Sequence, residues 1–171
     1  MAGMTTSART DRGGLLLGIY LNDHLGGSTA GLELVRRAAR GHRGTPAGET
    51  LARLAVEIAE DREALLAIMG TLGVPVQRYK VVAGWVTEKA GRLKPNGSLL
   101  RRSPLSSVIE LESLRLGVTG KEAGWRVLRT LADADARLDT ARLDRLIERA
   151  RRQSDTVEEL RIAAAVDAFR S

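Results

Sequence analysis

Apolar side chains recur every three or four residues through four long stretches of this chain, and that spacing limits its fold more than any other feature. The first stretch runs from about Arg12 to Arg40, with Leu17, Leu21, Leu25, Leu32, Val35 and Ala39 along one side. The second follows Thr45-Pro46, an N-cap residue and a proline at the first helical position, and carries Leu51, Leu54, Ile58, Leu65 and Met69 before Gly73-Val74-Pro75 ends it. A third opens at Ser103-Pro104 and continues through Leu111, Leu114, Val118, Trp125 and Leu128; a fourth begins near Asp139 or Thr140 and passes Leu143, Ile147, Ala150, Val157, Leu160 and Ala164. This period belongs to α-helices with one buried face. No stretch alternates long enough to read as a strand, and Asn96-Gly97 follows a helical pattern as a stop rather than joining two strands. The chain is therefore expected to be all-α, with four helices each about 40 to 48 Å long at about 1.5 Å per residue.

The links suggest the layout. Gly41-His42-Arg43-Gly44 and the stretch from Asp133 to Leu138 are short, so helices one and two, and three and four, should form antiparallel hairpins. Between the hairpins lie residues 76–104, expected to hold a short helix from about Gln77 to Leu93 and then a Lys94-Pro95-Asn96-Gly97-Ser98 turn. Such a segment can cross the length of a bundle. The whole predicts a single domain over 12–171, preceded by a disordered tail over 1–11.

One sequence within the first stretch resists this pattern. Gly26-Gly27-Ser28-Thr29 looks like a turn, yet a turn there would leave helix one half the length of its partners. The expectation is one continuous helix whose small residues, Gly27 and Gly31 among them, let another helix approach closely. Gly117, Gly120 and Gly124 suggest the same for helix three, against a bundle neighbour or a second subunit, with Trp125 beside them; a homodimer is the expected assembly.

The chain of 171 residues has no cysteine, and no apolar run approaches the ~20 residues needed to cross a bilayer. Its amino terminus lacks the apolar core of a signal peptide, so a cytoplasmic protein is expected. Arginine outnumbers lysine 23 to 4, a bias of GC-rich bacterial genomes. The net charge of +6 is localised. Seven basic residues face Glu88 alone in residues 76–104, while the rest of the chain carries 20 bases and 20 acids. If the crossover is helical, Arg78, Trp85, Lys89 and Arg92 share a face suited to an anionic partner such as a phosphate or nucleic-acid backbone, against the plainer reading of a solvated outer surface.

Two hairpins joined by a long crossover resemble the ferritin-like superfamily of ferritins, bacterioferritins, rubrerythrins and mini-ferritins. The stretch Val56-Glu57-Ile58-Ala59-Glu60-Asp61-Arg62-Glu63-Ala64-Leu65-Leu66 is similar to the second helix of the rubrerythrin-like members. That resemblance implies two carboxylates and two Glu-x-x-His motifs converging on two metal ions, iron or manganese. Carried over, the helix-one carboxylate is Asp23 and the helix-three one Glu110 or Glu112. The motif on helix two fails: Asp61-Arg62-Glu63-Ala64 has alanine where histidine belongs, and helix four contains no histidine. A reduced metal set of Asp23, His24, Glu57, Asp61 and Glu112 stands as one reading. The other pairs Asp61 or Glu57 with an arginine, such as Arg62 or Arg115, and makes His24 a core residue and His42 an inert turn residue. No Gly-x-Ser-x-Gly elbow, phosphate-binding loop or dinucleotide fingerprint is present, so the expected role is a non-catalytic binding or structural module.

Overall fold

A computed structural model of the chain describes residues 3–77 and 103–170, with side chains from residue 12 onward. Four helices account for nearly all of these: α1 (Gly3–Gly41), α2 (Pro46–Leu72), α3 (Pro104–Leu131) and α4 (Thr140–Arg170). Among the described residues there is no strand. None of the described helices is long and apolar enough to cross a membrane.

Each terminus has a local cause. The Thr45 hydroxyl accepts the Gly48 amide at 3.1 Å, and Pro46 occupies the first turn, as the sequence requires. At the other end of α2, Gly73 adopts the left-handed conformation (φ 70°, ψ 22°), and Val74 N–H donates to the Met69 carbonyl at 2.9 Å, the closing bond of a Schellman motif. Asp139 caps α4 by accepting the Arg142 amide at 2.9 Å. Ser103 differs from the expectation. It stands at the N-cap of α3, but its side chain makes no capping bond. In the α3–α4 link, hydrogen bonds from the Arg137 side chain and backbone hold the Asp135 carboxyl down to about 2.

Contacts between helices define their directions. Thr29 meets Arg62, and Asn22 receives the Gln77 amide, so α1 and α2 are antiparallel. Glu122 with Arg151, Arg129 with Asp144 and Arg115 with Glu158 set α3 against α4 in the same sense. Across the hairpins, Arg37 pairs with Glu110 while His24 lies on Gly124, so α1 also runs against α3. Glu60 with Arg149 and Glu57 with Gln153 make α2 antiparallel to α4.

The core is divided into two apolar layers. One collects Leu21, Leu25, Leu65, Met69, Trp125, Leu128, Leu143 and Ile147; the other collects Leu32, Val35, Leu54, Ile58, Leu114, Val118 and Val157. On each helix a polar residue falls between them: Asp61 on α2, Lys121 on α3, Gln153 on α4, and Ser28-Thr29 on α1. A charged layer thus crosses the middle of the bundle.

Helix α1 has no break between Leu25 and Ala30, and it starts ahead of Arg12. The expected role of its glycines is corrected. A methyl group at Gly27 or Gly31 would meet nothing within 4 Å, and the same holds for Gly117 and Gly120. Close approach occurs instead at Gly124, where a methyl group would lie 2.9 Å from His24 Cε1, and at Gly48, where it would run into the His42 carbonyl. Gly48→Ala is expected to destabilise the fold by about 1–3 kcal/mol in chemical denaturation, because the rigid turn carbonyl has to move. A stability equal to that of the parent would show that the turn is soft.

Candidate functional site

The helical repeat projects two pairs of polar side chains into the middle of the bundle. Glu57 and Asp61 lie four residues apart on α2, as do Arg149 and Gln153 on α4, so each pair shares a face. Lys121 enters from α3, three residues after buried Val118 and four before buried Trp125. Asp61 and Gln153 are each 1% exposed. The Lys121 side chain is 14% exposed.

Lys121 Nζ donates to Asp61 Oδ2 and to Gln153 Oε1. Gln153 Nε2 in turn donates to Glu57 Oε2 at 2.8 Å and to Asp61 Oδ2 at 3.3 Å. Arg149 closes the outer edge, with Nη2 ion-paired to Asp61 Oδ1 and Nη1 donating to Glu60 Oε2 at 2.8 Å. Two cations, Asp61, Glu57 and one amide therefore share one set of contacts spanning α2, α3 and α4. Burial pushes the Lys121 pKa below the usual lysine range; Asp61 and Glu57 oppose the shift, and Arg149 adds to it. Two of the three ammonium protons are thus matched by Asp61 and Gln153.

The arginine partner expected for Asp61 is corrected. Arg62 follows Asp61 directly, so it turns away around the helix and reaches Thr29 on α1 at 3.2 Å and Glu63 at 2.9 Å. Arg115 pairs with Glu158 on the flank of the α3–α4 hairpin. The residues that do meet Asp61 are Lys121 and Arg149. Lys121 and Gln153 stand on otherwise apolar stripes, so their need for buried partners is readable from spacing, but the identity of those partners is not.

Of the five residues in the candidate metal set, Glu57 and Asp61 come together. Asp23 and Glu112 are exposed, the latter facing Arg161. His24 lies one layer away, edge-on to Tyr20 with ring centroids 4.4 Å apart and its imidazole against Gly124. Among the described residues, no three His, Asp or Glu side chains form an arrangement that could hold a metal ion. Arg78, Trp85, Lys89 and Arg92, the anion-binding candidates, lie outside the described residues.

A shallow groove of about 570 Å³ passes over the outer face of α2, floored by Ala55, Val56 and Ala59 and edged by Arg36 and Arg142. It touches Glu60, at the rim of the charged layer, but Lys121 does not line it. The lysine is therefore tied into an ion pair, not presented to that groove as a nucleophile.

Compared with family models, curated proteins and solved structures, the chain shows no match.

Removing Lys121 would leave Asp61 with Arg149 alone at the outer edge and Asp61 Oδ2 and Gln153 Oε1 without their ammonium. Lys121→Met is expected to cost about 3–5 kcal/mol of unfolding free energy. A loss below about 1 kcal/mol, the value of an exposed pair, would show that the network is solvated. His24 supplies a pH dependence of its own. Burial lowers its pKa below 6.5, with Asp23 opposing. The unfolded chain thus takes up a proton that the folded chain refuses, and stability falls as pH drops from 6.5 towards the folded value. His24→Gln should flatten that part of the stability curve; an unchanged slope between parent and variant would assign it to other groups.

Proposed function

We propose that this protein is a ferritin-like four-helix bundle whose centre is a lysine-bridged charge layer, and that it works as a non-catalytic structural or binding module. The antiparallel pairing of α1 with α3 and of α2 with α4 supports the topology, since α2 and α3 then run parallel and the end of α2 and the start of α3 lie at opposite ends of the bundle. The carrying observation is Lys121, whose ammonium touches both Asp61 and Gln153. In the superfamily this chain resembles, mid-bundle carboxylates face metal ions and are joined by histidines from neighbouring helices. The residues here do not fit that group. Asp61 is already matched by two fixed cations, Lys121 and Arg149, which repel a divalent ion, and the neighbouring side chain on α4 is the neutral Gln153. A tethered ammonium takes the role of the counter-ion.

Two measurements test the proposal. Protein purified without chelator should contain far less than one iron, manganese or zinc per chain. Near-stoichiometric metal that is lost in Asp61→Ala would overturn the proposal in favour of the reduced ligand set. The combined variant Asp61→Leu, Lys121→Met and Gln153→Leu, which removes the three innermost members and leaves Arg149 its ion pair with Glu60, should be more stable than Lys121→Met alone by about 1–4 kcal/mol, as expected when buried ionic groups are replaced together by apolar side chains.

A further inference from the structure

One ridge of α1 is covered although it leaves the core. Gly18, Asn22, Gly26, Ala30 and Leu34 follow one another at steps of four residues, and all five are buried or half-buried. Each step drifts by about 40° on a helix of 3.6 residues per turn, so the ridge winds from the side of α1 that faces α2 towards the side that faces α3. It does so over the outer surface, because Leu21, Leu25 and Leu32 take the core side. Ile19, Asp23 and Glu33 beside it are exposed. Gly26 has no side chain of its own, and it is buried only because another part of the chain lies against its backbone.

The chain leaving α2 is already seated on the first two members. A methyl group at Gly18 would stand 3.7 Å from Val74 Cγ1. Buried Asn22 donates to the Pro75 carbonyl at 3.1 Å and accepts the Gln77 amide at 2.8 Å. These bonds turn the chain towards α1 and away from the other flank of α2, where Arg149 and Gln153 of α4 meet Glu60 and Glu57.

We infer that residues 78–102 continue along this ridge, across the outer surface of α1, to the start of α3. The two ends fix the length of the path. Gln77 is held at Asn22, whereas Glu110 meets Arg37, which brings Pro104 level with the turn after α1. From Asn22 to Gly41, α1 rises about 29 Å. A helix over 78–93 covers about 24 Å of that, and residues 94–102 reach up to about 30 Å when extended.

The sequence of the segment suits the ridge. Tyr79, Val82, Ala83, Val86, Ala90 and Leu93 share one helical face. With Gln77 beside Asn22 and the segment parallel to α1, Ala83 falls near Gly26, Val86 near Ala30 and Ala90 near Leu34. No level then sets two large side chains against each other, and the backbones approach closely. Arg78, Trp85, Lys89 and Arg92 are left on the solvent side, where their charge stays hydrated and Asp23 and Glu33 flank the path.

The chain has no cysteine, so introduced pairs report this contact directly. Under mild oxidation of the full chain, Ala30→Cys with Val86→Cys should close a disulfide at least about tenfold faster than two control pairs, since closure needs the Cα atoms within about 7 Å. One control, Ala30→Cys with Trp85→Cys, tests the opposite face of the segment; the other, Leu116→Cys with Val86→Cys, tests the exposed side of α3. Equal rates in all three pairs overturn the proposal, as does faster closure in either control. Gly26→Leu should also speed trypsin cleavage after Lys89 and Arg92 at least about tenfold by lifting the segment from its seat, while the bundle still unfolds cooperatively. Gly27→Leu should leave cleavage unchanged, because an added methyl group there meets nothing within 4 Å. No rise in Gly26→Leu, or an equal rise in Gly27→Leu, overturns the proposal, and if Gly26→Leu does not fold the cysteine pairs still decide. The placement rests on the helix directions and the exit from α2, not on the charge layer, whose variants change stability and metal content, so either reading can fail alone.

Discussion

The contact between Lys121 and Asp61 governs the rest of the bundle. Removing two ions from water costs several kcal/mol each, and the interior repays this only when the charges meet with their remaining hydrogen-bonding capacity filled. Gln153 supplies that capacity, accepting from Lys121 with its oxygen and donating to Glu57 and Asp61 with its nitrogen. The arrangement works at one relative height of α2, α3 and α4. Sliding any of them by a turn would leave an ion without its partner in an apolar layer. Leucines above and below the layer tolerate such slippage far better, so burial drives the helices together while the charges set their register.

That layer also accounts for the unusual middle of α1. Opposite the charges, α1 presents Ser28 and Thr29, whose hydroxyls return to the Leu25 carbonyl at 2.7 and 3.1 Å and so satisfy themselves within the helix. Thr29 additionally receives Arg62 Nε, which tethers α1 to α2 beside the layer. Small polar residues there neither force an apolar group into the charged level nor demand a partner from it. A methyl group at Gly27 or Gly31 beside them would meet nothing within 4 Å, and the intimate crossing of α1 with α3 lies one turn lower, where His24 covers Gly124.

The candidate site was half legible. Asp61 sits three residues after Ile58 and four before Leu65, so its burial follows from spacing alone, and Glu57 one turn earlier shares its face. Glu112 lies one residue off the Leu111–Leu114–Val118 stripe; that one step of about 100° puts it outside. Its exposure shows how steeply burial falls at the edge of a stripe. Which cation meets Asp61 was not legible, because the nearest arginine in sequence points away and the true partners come from helices 60 and 88 residues further on. Those separations carry no local signal.

By itself the sequence determined four helices, their caps at Thr45 and Gly73, their antiparallel hairpins and most of the buried leucines, since each depends on neighbours within a turn or two of helix. Tertiary structure alone decided that Lys121 bridges Asp61 and Gln153, that Gly124 rather than Gly27 is the close contact, and that Arg149 rather than Arg62 pairs with Asp61. These outcomes depend on the relative height and rotation of separate helices. Periodicity within one helix names the face that is buried, but it does not name the residue on another helix that the face will meet.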